Sequence, residues 1–184
     1  MASTLTVDNI EGVTSSSAVK IPGHVVQVVQ TYSTTIQQIS SATAFTDLVS
    51  LTTAITPKIS GSKFLIEANI FISHGGDGYP AFRLYKDGSH LSAASNSGPS
   101  PGTGCWFGGH SSGSGASPEY RSNMVGNKFL YTHGGDTSTS QTYKIYCSPM
   151  RTTNRDFIMN RVLQYNDANQ LAGASHITIM EIAQ

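Results

Sequence analysis

The feature that most constrains this chain is the segment His176–Gln184, which reads His-Ile-Thr-Ile-Met-Glu-Ile-Ala-Gln. The β-branched run contains no glycine or proline and therefore predicts a β-strand. Ile177 and Ile179 fall on one face with Glu181, and the opposite face is also mainly apolar. Chain ends fray unless a sheet holds them, and a strand that is apolar on both faces is typical of a sheet interior. We therefore predict an all-β body closed by an interior final strand.

Strand patterns follow one another from His24 onward. The strongest is Lys63–Ile72, which alternates at first and then becomes apolar on both faces. Lys86-Asp87-Gly88 predicts a hairpin turn, because glycine readily adopts the positive φ that such turns require. Short strands at close spacing, without sustained helical periodicity, are typical of a sandwich or barrel. The other predicted strands are 25–31, 46–52, 53–56, 81–85, 127–131, 142–147 and 156–161.

Residues 1–22 are rich in serine and threonine and are predicted to form an extended arm. They contain too few apolar residues for a core of their own, and Pro22-Gly23 marks the boundary with the body. We expect two parts, the arm at 1–22 and a single head domain at 23–184. The apolar positions expected to pack the arm against another protein are Leu5, Val7, Ile10, Val13 and Ile21.

The composition favours association. Charged residues make up 12% of the chain, whereas soluble domains usually contain ~25%. A surface with few charges is poorly protected against association, so we expect part of it to be covered in an oligomer. A solvated surface rich in serine and threonine is the alternative.

Charge and hydropathy exclude several classes of partner. The formal net charge is zero and lysine and arginine form no cluster, so nucleic acid is not an expected partner. No run approaches the ~20 apolar residues of a membrane span, and the first residues lack the pattern of a secretory signal. Cys105 and Cys147 are too few for a disulfide framework and are predicted to be reduced packing residues. We expect synthesis in a cytoplasm, before the protein joins something larger.

Several short segments are informative together because of the order in which they occur along the chain. They are Leu51–Pro57, Ser62–Ile66, Phe82–Gly88, Thr142–Ile145, Ile158–Arg161 and Ser175–Ala183, preceded by Ser3–Ile10 and Lys20–His24. This set resembles a head domain of bacteriophage virion proteins, especially tail fibres, and the resemblance covers nearly the whole chain. It implies a jelly-roll head similar to C1q and TNF domains, usually a homotrimer, with the C-terminal strand near the threefold axis.

The resemblance further implies that the N-terminal arm attaches the head to other virion proteins of the tail or capsid. No coiled-coil heptad or β-helical repeat separates the arm from the head, as the shaft of a long fibre would. We expect a short tail-fibre or appendage head on the virion. A trimeric capsid or tail decoration (cement) protein is the alternative.

One tetrapeptide occurs twice, as His74-Gly75-Gly76-Asp77 and as His133-Gly134-Gly135-Asp136. A histidine and an aspartate three residues apart can approach one cation, but divalent sites need three or more ligands. We therefore expect a Gly-Gly turn whose aspartate caps its own backbone. A metal site at His74, Asp77, His133 and Asp136 is the weaker alternative, and no cofactor is expected.

The candidate residues favour binding over catalysis. A glycosidase needs two positioned carboxylates, and the spacing of the carboxylates nominates no pair. No Gly-x-Ser-x-Gly motif follows a strong strand, so an enzyme is not expected. Rigid aromatic side chains in or beside loops can instead contact a host surface glycan or protein. These candidates are Tyr79, Trp106, Phe107, His110 and Tyr120, although Trp106 and Phe107 are also candidates for the core.

Overall fold

The structure of the protein is a computed structural model. This structure describes residues 21–40, 44–74, 80–95, 104–108, 122–134, 136–150, 156–162 and 172–184. Most of the predicted arm, residues 1–20, lies outside these described residues. Within them, no helix is long and apolar enough to span a membrane.

The described residues form antiparallel strands and one short 3-10 helix at Ser92–Ala94. The strands are β1 (Val25–Ser33), β2 (Gln37–Ser40), β3 (Thr46–Ile55), β4 (Lys63–His74), β5 (Ala81–Lys86), β6 (Ser89–His90), β7 (Phe107–Gly108), β8 (Ser122–Thr132), β9 (Gln141–Ser148), β10 (Asp156–Met159) and β11 (Ser175–Ile182). The predicted all-β sandwich is confirmed. Its jelly-roll connectivity stays a prediction.

The strands pair into two sheets. In sheet A the order is β1-β11-β4-β10-β2, and β8 pairs along the other edge of β4. In sheet B the order is β3-β9-β5-β6, and β7 also pairs with β5. β11 and β10 follow one another along the same edge of β4, so sheet A is four strands wide over most of its length.

The core lies between the inward faces of the two sheets. Alternate residues of β4 face inward, and Phe64, Ile66 and Ile70 are completely buried. They pack in one cluster with Leu84 and Ile145 of sheet B. Each such side chain contributes about 1.5–3 kcal/mol when it leaves water. The period-two apolar pattern therefore sets which face of each strand is covered.

The final strand is interior, as predicted. β11 lies between β1 and β4, with Ile179 opposite both Val29 and Ile66. Ile177 and Ile179 are completely buried. The opposite face of β11, which includes Met180, is only partly covered by the residues described. The second apolar face of this strand is therefore open in the single chain.

Two strand predictions needed correction. The predicted strands 46–52 and 53–56 are one strand, β3, with a register shift between Asp47 and Thr52. The predicted strand 127–131 is the C-terminal half of the longer β8. Such bounds depend on the partner strand: β8 is long because it pairs with β4 along most of its length.

Candidate functional site

Two of the predicted binding rings belong to the core. Trp106 is 6% exposed and Phe107 9% exposed. The Phe107 ring stacks on Phe82 at a centroid distance of 4.7 Å, and the Trp106 backbone N–H donates to the Phe82 carbonyl at 2.7 Å. Both rings are therefore covered within the chain, as the core alternative predicts, and a contact with a ligand stays a prediction.

The other predicted binding residues, Tyr79, His110 and Tyr120, lie outside the described residues. So do the arm positions Leu5, Val7, Ile10 and Val13. Ile21 is described and is exposed. Their predicted roles stay predictions.

The histidine and the aspartate of the second His-Gly-Gly-Asp repeat lie in different environments and do not form one site. Asp136 Oδ1 accepts hydrogen bonds from the backbone N–H groups of Ser138 at 2.8 Å and Thr139 at 2.7 Å. These bonds, with those from the same residues' hydroxyls, lower the pKa of Asp136 to about 2. The predicted capping of the backbone by the aspartate is confirmed for Asp136, and Gly135 of the predicted Gly-Gly turn lies outside the described residues. The His74 side chain and Asp77 lie outside the described residues, and among those described no three His, Cys, Asp or Glu residues cluster to hold a metal.

His133 is instead a core residue. Its ring stacks on Phe64 at a centroid distance of 4.6 Å, and its Nε2 lies 3.0 Å from Ser62 Oγ. Burial lowers the pKa of His133 below its usual value. Burial therefore favours the neutral imidazole, which lies next to a serine that also contacts a carboxylate.

That carboxylate is Glu181 of β11, which is completely buried. It accepts hydrogen bonds from the Ser62 hydroxyl at 2.6 Å, from the Ile59 N–H at 2.8 Å and from Gln27 Nε2 at 2.6 Å. The Lys58 N–H donates as well. Burial raises the pKa of Glu181, but these hydrogen bonds outweigh it, and the pKa lies below its usual value. Sequence reasoning placed Glu181 on the inward face but missed this network, whose one signal is a glutamate in an apolar strand.

The Ser62–His133–Glu181 network is not a catalytic triad. In a triad the imidazole lies between the carboxylate and the hydroxyl. Here Ser62 Oγ lies between the other two groups, 2.6 Å from Glu181 Oε1 and 3.0 Å from His133 Nε2. All three residues are buried. The network ties the turn before β4 to the final strand.

The outer face of sheet A carries an apolar row across four strands. The register places Val28, Met180, Leu65 and Leu130 side by side on β1, β11, β4 and β8. At the two ends of the row, Val28 is 55% exposed and Leu130 is 52% exposed. We call these four residues the apolar row. Val25, Tyr32 and Met124 are further exposed large side chains on the strands of this sheet.

A polar row lies beside the apolar row. It consists of Gln30, Thr178, Glu67 and Lys128, again one from each strand. Gln30 Nε2 donates to Thr178 Oγ1 at 2.8 Å, and Lys128 Nζ lies 3.1 Å from Glu67 Oε2. Because Lys128 is well exposed, this ion pair contributes less than about 1 kcal/mol. It orients the two side chains more than it stabilises the fold.

The next row ends in a hollow. It runs Tyr32, His176, Asn69, Gly126, and a Cβ at Gly126 would lie only 2.3 Å from Asn69 Oδ1. A surface depression of about 390 Å³ lies beside this close contact. We call it the Gly126 hollow; its lining residues are Glu67, Asn69, Gly126, Asn127 and Lys128. At the opposite end of the row, Tyr32 is 65% exposed.

Comparison with known proteins adds no assignment to this geometry. No protein-family model matches the chain, and no curated protein is significantly similar to it.

Proposed function

We propose that the protein is a non-enzymatic structural protein of a bacteriophage virion. In this proposal it is the head of a short tail fibre or appendage. The head is a homotrimer that associates through the outer face of sheet A. Residues 1–22 attach it to other virion proteins, and loops of the head contact a host surface glycan or protein. The chain is assembled into the particle in the host cytoplasm.

The observation that carries this proposal is the uncovered apolar row. Soluble monomers rarely expose a contiguous apolar patch that serves no contact, and this one crosses the four strands β1, β11, β4 and β8. The row includes Met180, on the second face of the buried final strand. The sparse charge of the chain, 12% of its residues, points the same way.

The free energy gained by covering the apolar row indicates how far the proposed interface must extend. Burying the exposed halves of Val28 and Leu130, and the exposed parts of Met180 and Leu65, contributes about 3 kcal/mol in total. Association costs about 4–15 kcal/mol in lost translational and rotational freedom. The apolar row alone is therefore too small. A stable trimer needs the other exposed side chains of this sheet, Val25, Tyr32 and Met124.

The attachment of the arm has support at its junction with the head. The Gly23 N–H donates to the Ala183 carbonyl at 2.9 Å, and the Ala183 N–H donates to the His24 carbonyl at 3.0 Å. Gly23 has a φ of +86°, which glycine adopts without strain. The junction at Pro22-Gly23 is thus fixed beside the end of β11. An arm starting from this point is held close to the proposed interface.

The non-enzymatic part of the proposal is supported by the arrangement of Ser62, His133 and Glu181. These are the residues of the described part that most resemble a catalytic set, and their order and burial suit structural support instead. Since Glu181 accepts several hydrogen bonds that stabilise the fold, removing it should reduce stability.

The second candidate function is a capsid or tail decoration protein that stabilises the particle. One observation favours it: residues 1–22 carry neither heptads nor a β-helical repeat that would hold a host-binding head away from the particle. In that case the trimer bridges neighbouring virion subunits. Its loops then contact other virion proteins rather than the host.

Imaging of particles made by the virus that encodes this chain tests both candidates. An antibody against residues 23–184 should label a tail appendage, and deleting residues 1–22 should remove the label. Label on the capsid, with particle stability but not adsorption changed by loop substitutions, would select the decoration function. Absence of the protein from purified particles would refute both.

A further inference from the structure

We infer that copies of this chain associate edge to edge, with the Tyr32 ring of one copy seated in the Gly126 hollow of the next. The inference rests on the proposed self-association through sheet A and names the contact that sets its register. It follows from three features: an exposed aromatic ring, a cavity at the opposite edge of the same face, and the alignment of neighbouring rows.

The ring is Tyr32, near the end of the edge strand β1. It is 65% exposed, and the structure gives its side chain no hydrogen bond and no ring contact among the described residues. The exposed ring leaves apolar surface in water that a partner could cover. The same side chain is a common anchor in protein interfaces.

The cavity matches this ring in chemistry. Glu67 and Asn69 supply oxygen acceptors for a phenol hydroxyl, and Lys128 supplies an ammonium group that can lie over a ring face. Asn69 is already oriented, because its Nδ2 lies 3.0 Å from Glu67 Oε1 and 3.2 Å from His176 Nε2. The hollow is therefore lined by groups that are held in place before a partner arrives.

Tyr32 cannot fill the hollow of its own chain. In the row Tyr32, His176, Asn69, Gly126, three strand spacings separate the ring from the hollow. At ~4.8 Å per spacing this is about 14 Å along a sheet surface. The occupant must therefore come from outside the chain, and a second copy brings the matching edge.

One register satisfies all three rows at once. Val28 is four residues before Tyr32 on β1, and Leu130 is four residues after Gly126 on β8. When the β1 edge of one copy lies along the β8 edge of the next with these rows level, Tyr32 meets the hollow and Val28 meets Leu130. Between them Gln30, whose Nε2 already donates to Thr178, presents its amide oxygen to Lys128.

In this contact the β1 edge of one copy therefore meets the β8 edge of the next copy. An arrangement in which the edges of one copy contact the unlike edges of its neighbours closes into a ring when the rotation allows it. With the proposed threefold symmetry, the outer faces of the three sheets A turn toward the axis, which also covers Met180 and Leu65, and each copy supplies one Tyr32 and one hollow. No ring and no hollow is left without a partner.

Cysteine crosslinking of the full chain tests the contact. The variant carries Gln30→Cys and Lys128→Cys, which face each other across the proposed contact when Tyr32 meets the hollow, with Cys105→Ser to remove the partly exposed native thiol, and it is oxidised with diamide. Disulfides need Cα atoms within about 7 Å, so the two new cysteines cannot pair within one chain. We expect a covalent ladder that ends at a closed trimer on a non-reducing gel. Each single variant should give no closed trimer.

A matched control moves one cysteine to the other sheet. Ala54 is exposed on β3, and Ala54→Cys with Lys128→Cys keeps the number of thiols while removing the proposed contact. This pair should not give a closed trimer. In the absence of crosslinking, Tyr32→Ser should weaken self-association by about 30-fold, as expected of an interface hot spot, whereas Val49→Ser on sheet B should leave it unchanged.

The outcomes separate this inference from the proposed function. A trimer by light scattering whose Gln30→Cys/Lys128→Cys variant does not crosslink would overturn the register that seats Tyr32 in the hollow and leave the trimer standing. A monomer at all concentrations would overturn the proposed self-association itself. A covalent dimer, with a dimer by light scattering, would support the contact and overturn the threefold symmetry.

Discussion

The outer faces of the two sheets differ in how many of their side chains contact a partner on the same face. On sheet B the partly exposed side chains pair with one another: Tyr85 stacks on Tyr146 at 3.8 Å, and Lys144 Nζ lies 2.7 Å from Asp47 Oδ2. The guanidinium of Arg83 lies 3.9 Å from the centre of the Phe45 ring. The outer face of sheet A instead leaves the apolar row and Tyr32 uncovered.

We propose that this difference marks the face that contacts a partner. On sheet B, Val49 is the exposed large apolar residue among the described positions, at 65%. It lies at the register shift of β3, apart from the stacked rings. A face whose groups contact one another gains little by being covered. A face with unmatched apolar and aromatic groups gains much more.

The largest expected effect compares the two faces of the final strand. Ile179→Asp places an unpaired carboxylate in the core, costs several kcal/mol, and should prevent folding. Met180→Asp changes the adjacent residue on the outer face and should leave the fold intact while preventing self-association. Far-UV circular dichroism measures the first effect and light scattering the second. A folded, normally associated Ile179→Asp variant would contradict the interior position of β11.

The next effect concerns the buried network behind the interface. Glu181→Gln should lower the free energy of unfolding at pH 7 by about 1–3 kcal/mol, because donors at Ser62, Ile59 and Gln27 lose their charged acceptor. Glu67→Gln is the matched change on the outer face of sheet A and should cost less, since Glu67 is solvent-accessible. Urea unfolding of both variants measures the difference.

The same network predicts how stability depends on pH. Burial lowers the pKa of His133 from its usual 6.5, so the unfolded chain binds this proton first and stability falls below about pH 6.5. The pKa of Glu181 is also lowered, from 4.5, so its contribution is complete above that pH and is lost as the pH falls through the folded-state value. In Glu181→Gln the second loss should be absent. Urea unfolding over a range of pH measures both losses. If the free energy of unfolding of Glu181→Gln falls at acidic pH as steeply as that of the unaltered protein, the loss does not come from Glu181.

A smaller effect is expected where the apolar row reaches the sheet edge. Leu130→Ser removes apolar surface that the proposed interface would bury. The loss is about 1.4 kcal/mol of association free energy, so the association constant should fall about tenfold. Val49→Ser makes a similar change on sheet B and should have no effect. Sedimentation of both variants over a range of concentrations makes the comparison. Equal losses would mean that sheet A is not the interface.

The smallest effect is expected at Asp136, which lies on an exposed turn. Asp136→Ala removes the caps to Ser138 and Thr139 and should lower the melting temperature slightly, with no change in oligomeric state. Calcium should not change the melting temperature of the unaltered protein. A calcium-dependent rise that disappears in Asp136→Ala would reveal a metal site.

Much of the fold could be predicted because alternation is a local property. The strand at Lys63–Ile72 and the final strand were predicted from their side-chain patterns, and both form the interior of sheet A. β2 at Gln37–Ser40 was not predicted, because its polar sequence pairs only through its position beside β10. Trp106 and Phe107 were uncertain for a related reason: their glycine-rich flanks indicate a loop, and only β5 determines that they turn inward.

The amino-acid order by itself determined the secondary structure class, the interior final strand and the shortage of charge, because each depends on the identity and spacing of neighbouring residues. Only the tertiary structure decided which residues of different strands lie side by side. The apolar row, the Gly126 hollow and the Glu181 network each join residues far apart in the chain, and strand register sets their alignment. A shift of one residue in that register would turn every outward side chain of a strand inward, so these surfaces exist only once all the strands have paired.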